Sequence, residues 1–437
     1  MKFEKAPIFP ITTRIKDNGH LEIGGCDVPD LAVQYGTPLY IFDEETLRSQ
    51  CRQFVKEFTV LYPDTQVAYA SKAYIGPALA RLVKEEGLGL DVVSGGELAM
   101  AQAVSFPPDR IYFHGNNKSR QELEQAVDYK VGRIVVDNFY ELKLLNQVAQ
   151  QKNVVQPILL RLSPSVDPHT HSHTTTGILD SKFGFPIETG DAERAVKQAL
   201  ASANLKLMGL HFHLGSPIFE LEPYAIAIGV VLSFAAKHKK DGLELRDFSP
   251  GGGFAIGYHM GGLPPAISDY AQALTGAIKS QCKDLGIKEP RLIIEPGRSI
   301  VGRAGVAVYT VGAVKDIPGV RKYVSLDGGM GDNIRPALYG AKYEAVVASR
   351  MNDAPKENVT LAGKFCESGD ILVKDVVLPT LQSGDIVALP ASGAYNYSMA
   401  SNYNLAPRPA VVMVKRGQAK VIRRRESYSD LMAVDVY

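Results

Sequence analysis

Residues 67–93 read VAYASKAYIGPALARLVKEEGLGLDVV. The stretch opens on a short apolar run, Val67–Ala70. It passes through Ser71-Lys72-Ala73 and continues as an amphipathic segment over 74–86. It closes on a second apolar run, Leu88–Val93. Short apolar runs bounded by small and polar residues read as buried strands, and a helical pattern between two of them reads as a crossover helix. Two strands joined in this way pair in parallel.

Outward from this stretch the unit recurs. Ile111–His114, Ile134–Asp137, Pro157–Arg161, Leu207–His211, Leu245–Phe248 and Leu292–Glu295 bring the runs to eight, and the first four are spaced about 22 residues apart. Between them, residues 119–130 (SRQELEQAVDYK) open with Ser119 and place Glu122 three positions on, a capping box. Eight strand–helix units in roughly 250 residues predict an α/β fold of the (β/α)8, TIM-barrel type. A doubly wound open sheet shares this periodicity.

The pattern changes after Arg298. From 305 onward the β-type runs GVAVYTVGAV, KYVSLDGG, ILVKDVVL, DIVALPA and AVVMVKRGQAKVIRR predominate, punctuated by glycine and proline. These predict an all-β domain. The run Pro38–Phe42 is also β-like. The expected organisation is therefore an N-terminal β segment over 1–45 that joins the β domain, a barrel over 46–304 and the C-terminal β domain over 305–437.

Composition narrows the class. Lys plus Arg number 48 against 47 Asp plus Glu, a net charge of +1, which gives no electrostatic footprint for nucleic acid. No apolar run approaches the roughly 18 residues of a membrane helix, and the first residues lack a signal-peptide core. The cysteines Cys26, Cys51, Cys282 and Cys366 are far apart and without metal spacing. A reduced, cytoplasmic compartment is expected, with the first three as packing residues.

Barrel chemistry lies at the C-terminal ends of the strands. There the sequence places Lys72, Asp91, His114, Asp137, Arg161, His211, His213, Gly251-Gly252-Gly253, Glu295 and Arg298. Alone, Lys72 is an ordinary surface lysine. At the end of a buried strand, desolvation lowers its pKa and frees an amine for Schiff-base chemistry. Three successive glycines let backbone N–H groups close around a phosphate, or form a simple turn. A buried Glu295 can keep a pyridine nitrogen protonated, and Arg298 suits a phosphate or carboxylate; either could instead form a structural salt bridge. His211 and His213 alternate and so share a face, but no matching set of acids and histidines predicts a metal. The His-rich segment Pro168–His173 reads as a solvated loop. Cys366, beside Glu367 in a glycine-bounded loop, can be an exposed acid–base thiol.

Taken together, these motifs resemble the fold-type III pyridoxal-phosphate (PLP) decarboxylases, whose barrel is of the alanine-racemase type. The resemblance runs from Tyr35–Tyr40 to Arg408-Pro409. It rests on YASKA (69–73), GLDVVSGGEL (89–98), DSKFG (180–184), GLHFHLGS (209–216), GGG (251–253) and EPGR (295–298). In the β domain it rests on DGGM (327–330), DNIRPALY (332–339), CESGD (366–370) and GAY (393–395). It implies that Lys72 carries the cofactor, with Asp91 and Gly297 also at the cofactor. His213 would stack on the ring and Glu295 pair with its nitrogen. Ser216, Gly251, Gly252, Gly253 and Tyr395 would hold the phosphate. Arg298, Arg335, Tyr339 and Tyr395 would take substrate carboxylate, Glu367 the distal amine, and Cys366 would donate a proton. It further implies decarboxylation of meso-2,6-diaminopimelate to L-lysine, and a homodimer in which Cys366 and Glu367 enter the neighbouring subunit's site. Tyr74, Pro217 and Gly331 depart from the residues usual there (Asn, Gln and Ser).

Other readings of the same residues are a related PLP decarboxylase acting on another diamino acid or polyamine precursor, a cofactor-free aldolase-like barrel using Lys72, a decarboxylase-like protein that only binds partners, and a metal-dependent hydrolase built on His211 and His213.

Overall fold

The computed structural model describes residues 4–167 and 179–436. The His-rich segment Pro168–His173 lies outside the described residues. By internal contacts the chain forms two compact units. One comprises Cys51–Ala255 and Pro265–Gly297; the other comprises the chain up to Gln50, Ile256–Pro264 and the chain from Arg298 onward.

The first unit is the barrel. Its strands are β1 (Thr65–Ala70), β2 (Gly89–Val92), β3 (Ile111–Phe113), β4 (Arg133–Val136), β5 (Gln156–Ser163), β6 (Leu205–His211), β7 (Asp247–Gly251) and β8 (Arg291–Ile294). Each pairs in parallel with the next, and β8 pairs with β1 to close the ring. All eight apolar runs read from the sequence are strands, and closure excludes the open sheet. Helices such as Pro77–Glu85 and Arg120–Asp128 connect them. Three helix starts use one device. Ser94, Ser119 and Asn138 each accept a hydrogen bond from the backbone N–H of a glutamate three residues on. Each cap contributes about 1 kcal/mol. Ala68, Tyr112, Val135, Leu159 and Ile293 fill the barrel's interior, so it is a packed core and not a channel.

One barrel element is ionic. Lys118 Nζ lies 2.7 Å from Glu141 Oε1, with both side chains 1% exposed, and also bonds the Gly115 and Val135 carbonyls. Removing one partner of such a pair leaves a buried uncompensated charge. Lys118→Met is expected to cost about 3–5 kcal/mol, read from urea denaturation, and Lys118→Met with Glu141→Leu to recover most of it. Equal losses in both variants would show that the ion pair itself contributes nothing.

The second unit is built on a nine-stranded sheet. Leu39–Asp43 enters it between Gly305–Ile317, to which it is antiparallel, and Ala410–Lys415, to which it is parallel. The N-terminal segment therefore belongs to the sheet of the β unit. The sequence patterns missed Glu357–Ala362, which pairs with Arg321–Leu326 and Ile371–Leu378. Only Val359, Thr360 and Leu361 of that strand are buried, too short a run to read. Cys26, Cys51 and Cys282 are buried and Cys366 is exposed. Among the described residues no helix is long and apolar enough to cross a membrane.

Candidate active site

The strand ends of the barrel gather the charged groups. Glu295 follows β8 and is buried. Its Oε2 accepts from His211 Nε2 at 3.1 Å, its Oε1 accepts from Ser249 Oγ at 2.9 Å, and His114 Nε2 stands 3.4 Å away. Burial alone would raise its pKa, but His211 and His114 outweigh burial and hold the carboxyl well below its usual range. Burial lowers His211 to about 4, so its ring is neutral and donates from Nε2. His213 accepts from the Gly252 N–H at Nδ1, 3.2 Å, which places its proton on Nε2. Burial lowers its pKa as well.

Lys72 differs from the sequence expectation. It sits in the 3-10 turn Ser71–Ala73 after β1, and its side chain is 41% exposed. Desolvation is therefore not what sets it apart. Its Nζ lies 3.7 Å from Asp91 Oδ2, so a buried carboxylate one strand away holds it by charge. Arg161, 3.7 Å from Asp137, is the rim's second cation.

Glycine is required at the turn after β7. A Cβ on Gly252 would meet the Glu295 carbonyl oxygen at 2.2 Å, and one on Gly253 (φ +103°) the Gly215 carbonyl oxygen at 2.6 Å. The turn already orders its neighbours, since the Gly251 N–H bonds Ser249 Oγ at 3.1 Å. Gly297 is bound the same way, as its Cβ would press on Ala70 at 2.9 Å. Ser216 is half-buried beyond β6.

Arg298, Arg335, Tyr339, Cys366, Glu367 and Tyr395 lie in the β unit. Arg298 is buried, donates to the Tyr258 hydroxyl, and stands 4.7 Å over the Tyr395 ring. Tyr395 holds φ +60°, a left-handed conformation costly for a tyrosine and common where function fixes the backbone. Arg335 is buried, lies 4.4 Å over the Tyr258 ring and donates to the Tyr343 hydroxyl, which donates onward to Asn396. Arg335 opens the short helix Arg335–Tyr339, and Tyr339 ends it.

Cys366 and Glu367 are both exposed. Asp370 pins their turn from below by accepting the Met330 N–H at 2.6 Å and the Phe365 N–H at 2.8 Å. The Cys366 N–H itself donates to Asn404 at 3.0 Å. The departure at Gly331 has a packing reason: a side chain there would meet the Phe365 ring at 2.4 Å.

Sequence patterns passed over Ser249, Tyr258, Tyr343 and Asn396. None stands in a spacing that signals chemistry, and each matters through a partner distant in the chain. They also gave no metal set, yet His114, His211 and Glu295 bring ligand-type atoms within 4.8 Å of one another.

Around this cluster several buried polar atoms have no hydrogen-bond partner: both Asp91 oxygens, His114 Nε2, Asp137 Oδ1 and His211 Nδ1. Such atoms are costly unless a polar group meets them. A pyridine ring carried on Lys72, with its nitrogen toward an ionised Glu295, fits this set of donors and acceptors. A closed parallel barrel with that site is the architecture of a pyridoxal-phosphate-dependent decarboxylase. Residues 44–302 match the family described as "Pyridoxal-dependent decarboxylase, pyridoxal binding domain". The chain is 47% identical over 433 residues to diaminopimelate decarboxylase of Bacillus subtilis (strain 168), covering 97% of each, and 48% identical over 417 residues to that of Bacillus methanolicus, covering 95% and 96%. The crystal structure of diaminopimelate decarboxylase from M. jannaschii superposes with a TM-score of 0.92 at 36% identity, covering 98% of both chains, and a second structure of it is a complex with L-lysine. The chain belongs to the diaminopimelate decarboxylase family.

Proposed function

We propose that this chain decarboxylates meso-2,6-diaminopimelate to L-lysine and CO2, the last step of lysine biosynthesis, with pyridoxal 5′-phosphate as cofactor. The observation that carries the chemistry is Glu295, a buried carboxylate held ionised by two imidazoles and a serine hydroxyl. The family supplies the substrate.

When bound, the cofactor supplies a protonated ring that accepts the electron pair left as CO2 departs. Lys72 is its covalent attachment point, beside Asp91. Glu295 holds a proton at the ring nitrogen. His213, neutral and fixed by Gly252, would stack on the ring. Ser216, the Gly251–Gly253 turn and Tyr395 take the phosphate, and Gly297 gives the room for close approach. Arg298, Arg335 and Tyr339 bind the carboxylate of the end that does not react. Glu367 takes the amine of that end, and Cys366 returns a proton to the carbon that lost CO2. Exposure of Cys366 and Glu367 on a pinned turn supports a homodimer in which each subunit completes its partner's site; sedimentation of the purified enzyme tests it. The absence of clustered cysteine pairs supports a cytoplasmic location.

A CO2-release panel with added cofactor tests the function. Meso-diaminopimelate should be turned over, and ornithine rejected by about 10⁴-fold or more, because it leaves buried groups that bind the acid unpaired. Turnover of ornithine at a comparable rate would overturn the role given to Arg335. Cys366→Ser is expected to lower kcat by about 10²–10³-fold with KM little changed, measured by lysine formation. An unaltered kcat would assign the proton to another donor.

A further inference from the structure

The β unit holds two buried guanidinium groups around one aromatic side chain. Tyr258 stands in Ile256–Pro264, a segment that leaves the chain between β7 and the helix Ile267–Leu285 and packs as part of the β unit. Its hydroxyl accepts from Arg298, and its ring face lies 4.4 Å beneath the Arg335 guanidinium. The Tyr343 ring meets the Tyr258 ring edge-on at 5.5 Å, which fixes its plane.

A buried arginine is ordinarily neutralised by a carboxylate. Among the described residues Arg335 forms no ion pair, and its Nε has no hydrogen-bond partner. Its neighbours are rings and hydroxyls: Tyr258, then Tyr343, which passes the hydrogen bond to Asn396 at 3.2 Å. A ring face attracts a cation without cancelling its charge. The guanidinium is therefore held in place while its charge stays available to an incoming anion. A carboxylate at position 258 would satisfy Arg335 and close it to an acidic ligand.

We infer that Tyr258 is a positioning residue whose ring orients Arg335 for the non-reacting carboxylate, and so sets the preference for a substrate with two acid ends. This rests on the proposed role of Arg335. The residue acts through that arginine and needs no contact with the reacting atoms.

The test uses the cofactor-loaded enzyme with two inhibitors that differ only in that carboxylate: L-lysine and 1,5-diaminopentane. Tyr258→Leu should raise the inhibition constant of L-lysine, and KM for meso-diaminopimelate, by roughly tenfold, with kcat within about twofold and the diamine unaffected. Tyr258→Phe keeps the ring under Arg335 and should hold L-lysine inhibition within about threefold of the parent. If the Leu variant shifts acid and diamine equally, or shifts neither, the inference is overturned. If that variant does not fold, Tyr258→Phe decides alone: preserved discrimination supports the ring-face contact, and its loss overturns it. Arg335→Gln separates the two levels. Unchanged L-lysine inhibition there removes the proposed role of Arg335 and this inference with it. Weakened inhibition there, with none in Tyr258→Leu, removes only the inference.

Discussion

Lys72→Ala is expected to reduce decarboxylation by on the order of 10³-fold or more, and to abolish the visible absorbance of the covalently held cofactor. Both effects follow from one atom. Lys72 Nζ lies beside Asp91, at 3.7 Å, on the rim where Glu295 and His211 meet. The fold should be indifferent to the change, because the side chain is 41% exposed and its loss opens no cavity. Far-UV circular dichroism and the melting temperature should therefore stay at the parent values. A small primary amine added to the variant should restore part of the turnover, since it replaces the missing group without the tether. A Lys72→Ala enzyme that kept its colour would remove the lysine from the cofactor. A parent enzyme that is colourless but active would favour the cofactor-free aldolase-like reading.

Glu295→Gln is expected to lower kcat by about 10²–10³-fold while leaving cofactor binding and KM within a few-fold. The amide keeps the shape but has one acceptor oxygen where the carboxylate has two, so it can accept from only one of Ser249 and His211, and it cannot hold a proton on the ring nitrogen by charge. The substitution also has a signature in stability. Glu295 has a folded-state pKa below its ordinary 4.5, so its contribution is present above that value and is lost as pH falls through the folded pKa. His211 is depressed from 6.5 to about 4, so the unfolded chain takes up its proton first and stability declines as pH falls between those values. The parent protein should lose stability in acid in two stages, first from about pH 6.5 downward and then below about 4.5. Glu295→Gln should lose less stability in the second stage than the parent in urea titrations run across pH, the remainder of that stage coming from carboxylates such as Glu426 whose pKa is also depressed. If parent and variant lose stability alike below pH 4.5, Glu295 is not an ionised carboxylate in the folded chain.

The two proposals differ in how far the sequence could carry them. Lys72 is legible as a lysine at a strand end. Its expected burial is not found: in the turn Ser71–Ala73 the side chain is 41% exposed, and Asp91 holds the amine by charge. Glu295 was legible as a carboxylate ending the eighth run. Its ionised state was not, because that depends on His211 and His114, 84 and 181 residues earlier in the chain.

The sequence by itself determined the eight strands, the N-terminal strand of the β sheet and the helix cap at Ser119. These are local properties. Periodicity and capping are written within a few residues, and the eight repeats of one strand–helix unit can be counted along the chain. Only the tertiary structure decided that the ring closes from β8 to β1, that Glu357–Ala362 is a strand, and that a single tyrosine, Tyr258, lies between two buried arginines. The physical reason is the same in each case. A hydrogen-bonded neighbour, a charge or a ring face acts through space over a few ångströms, and residues that meet there, such as Tyr258 and Arg335, need share no pattern along the chain.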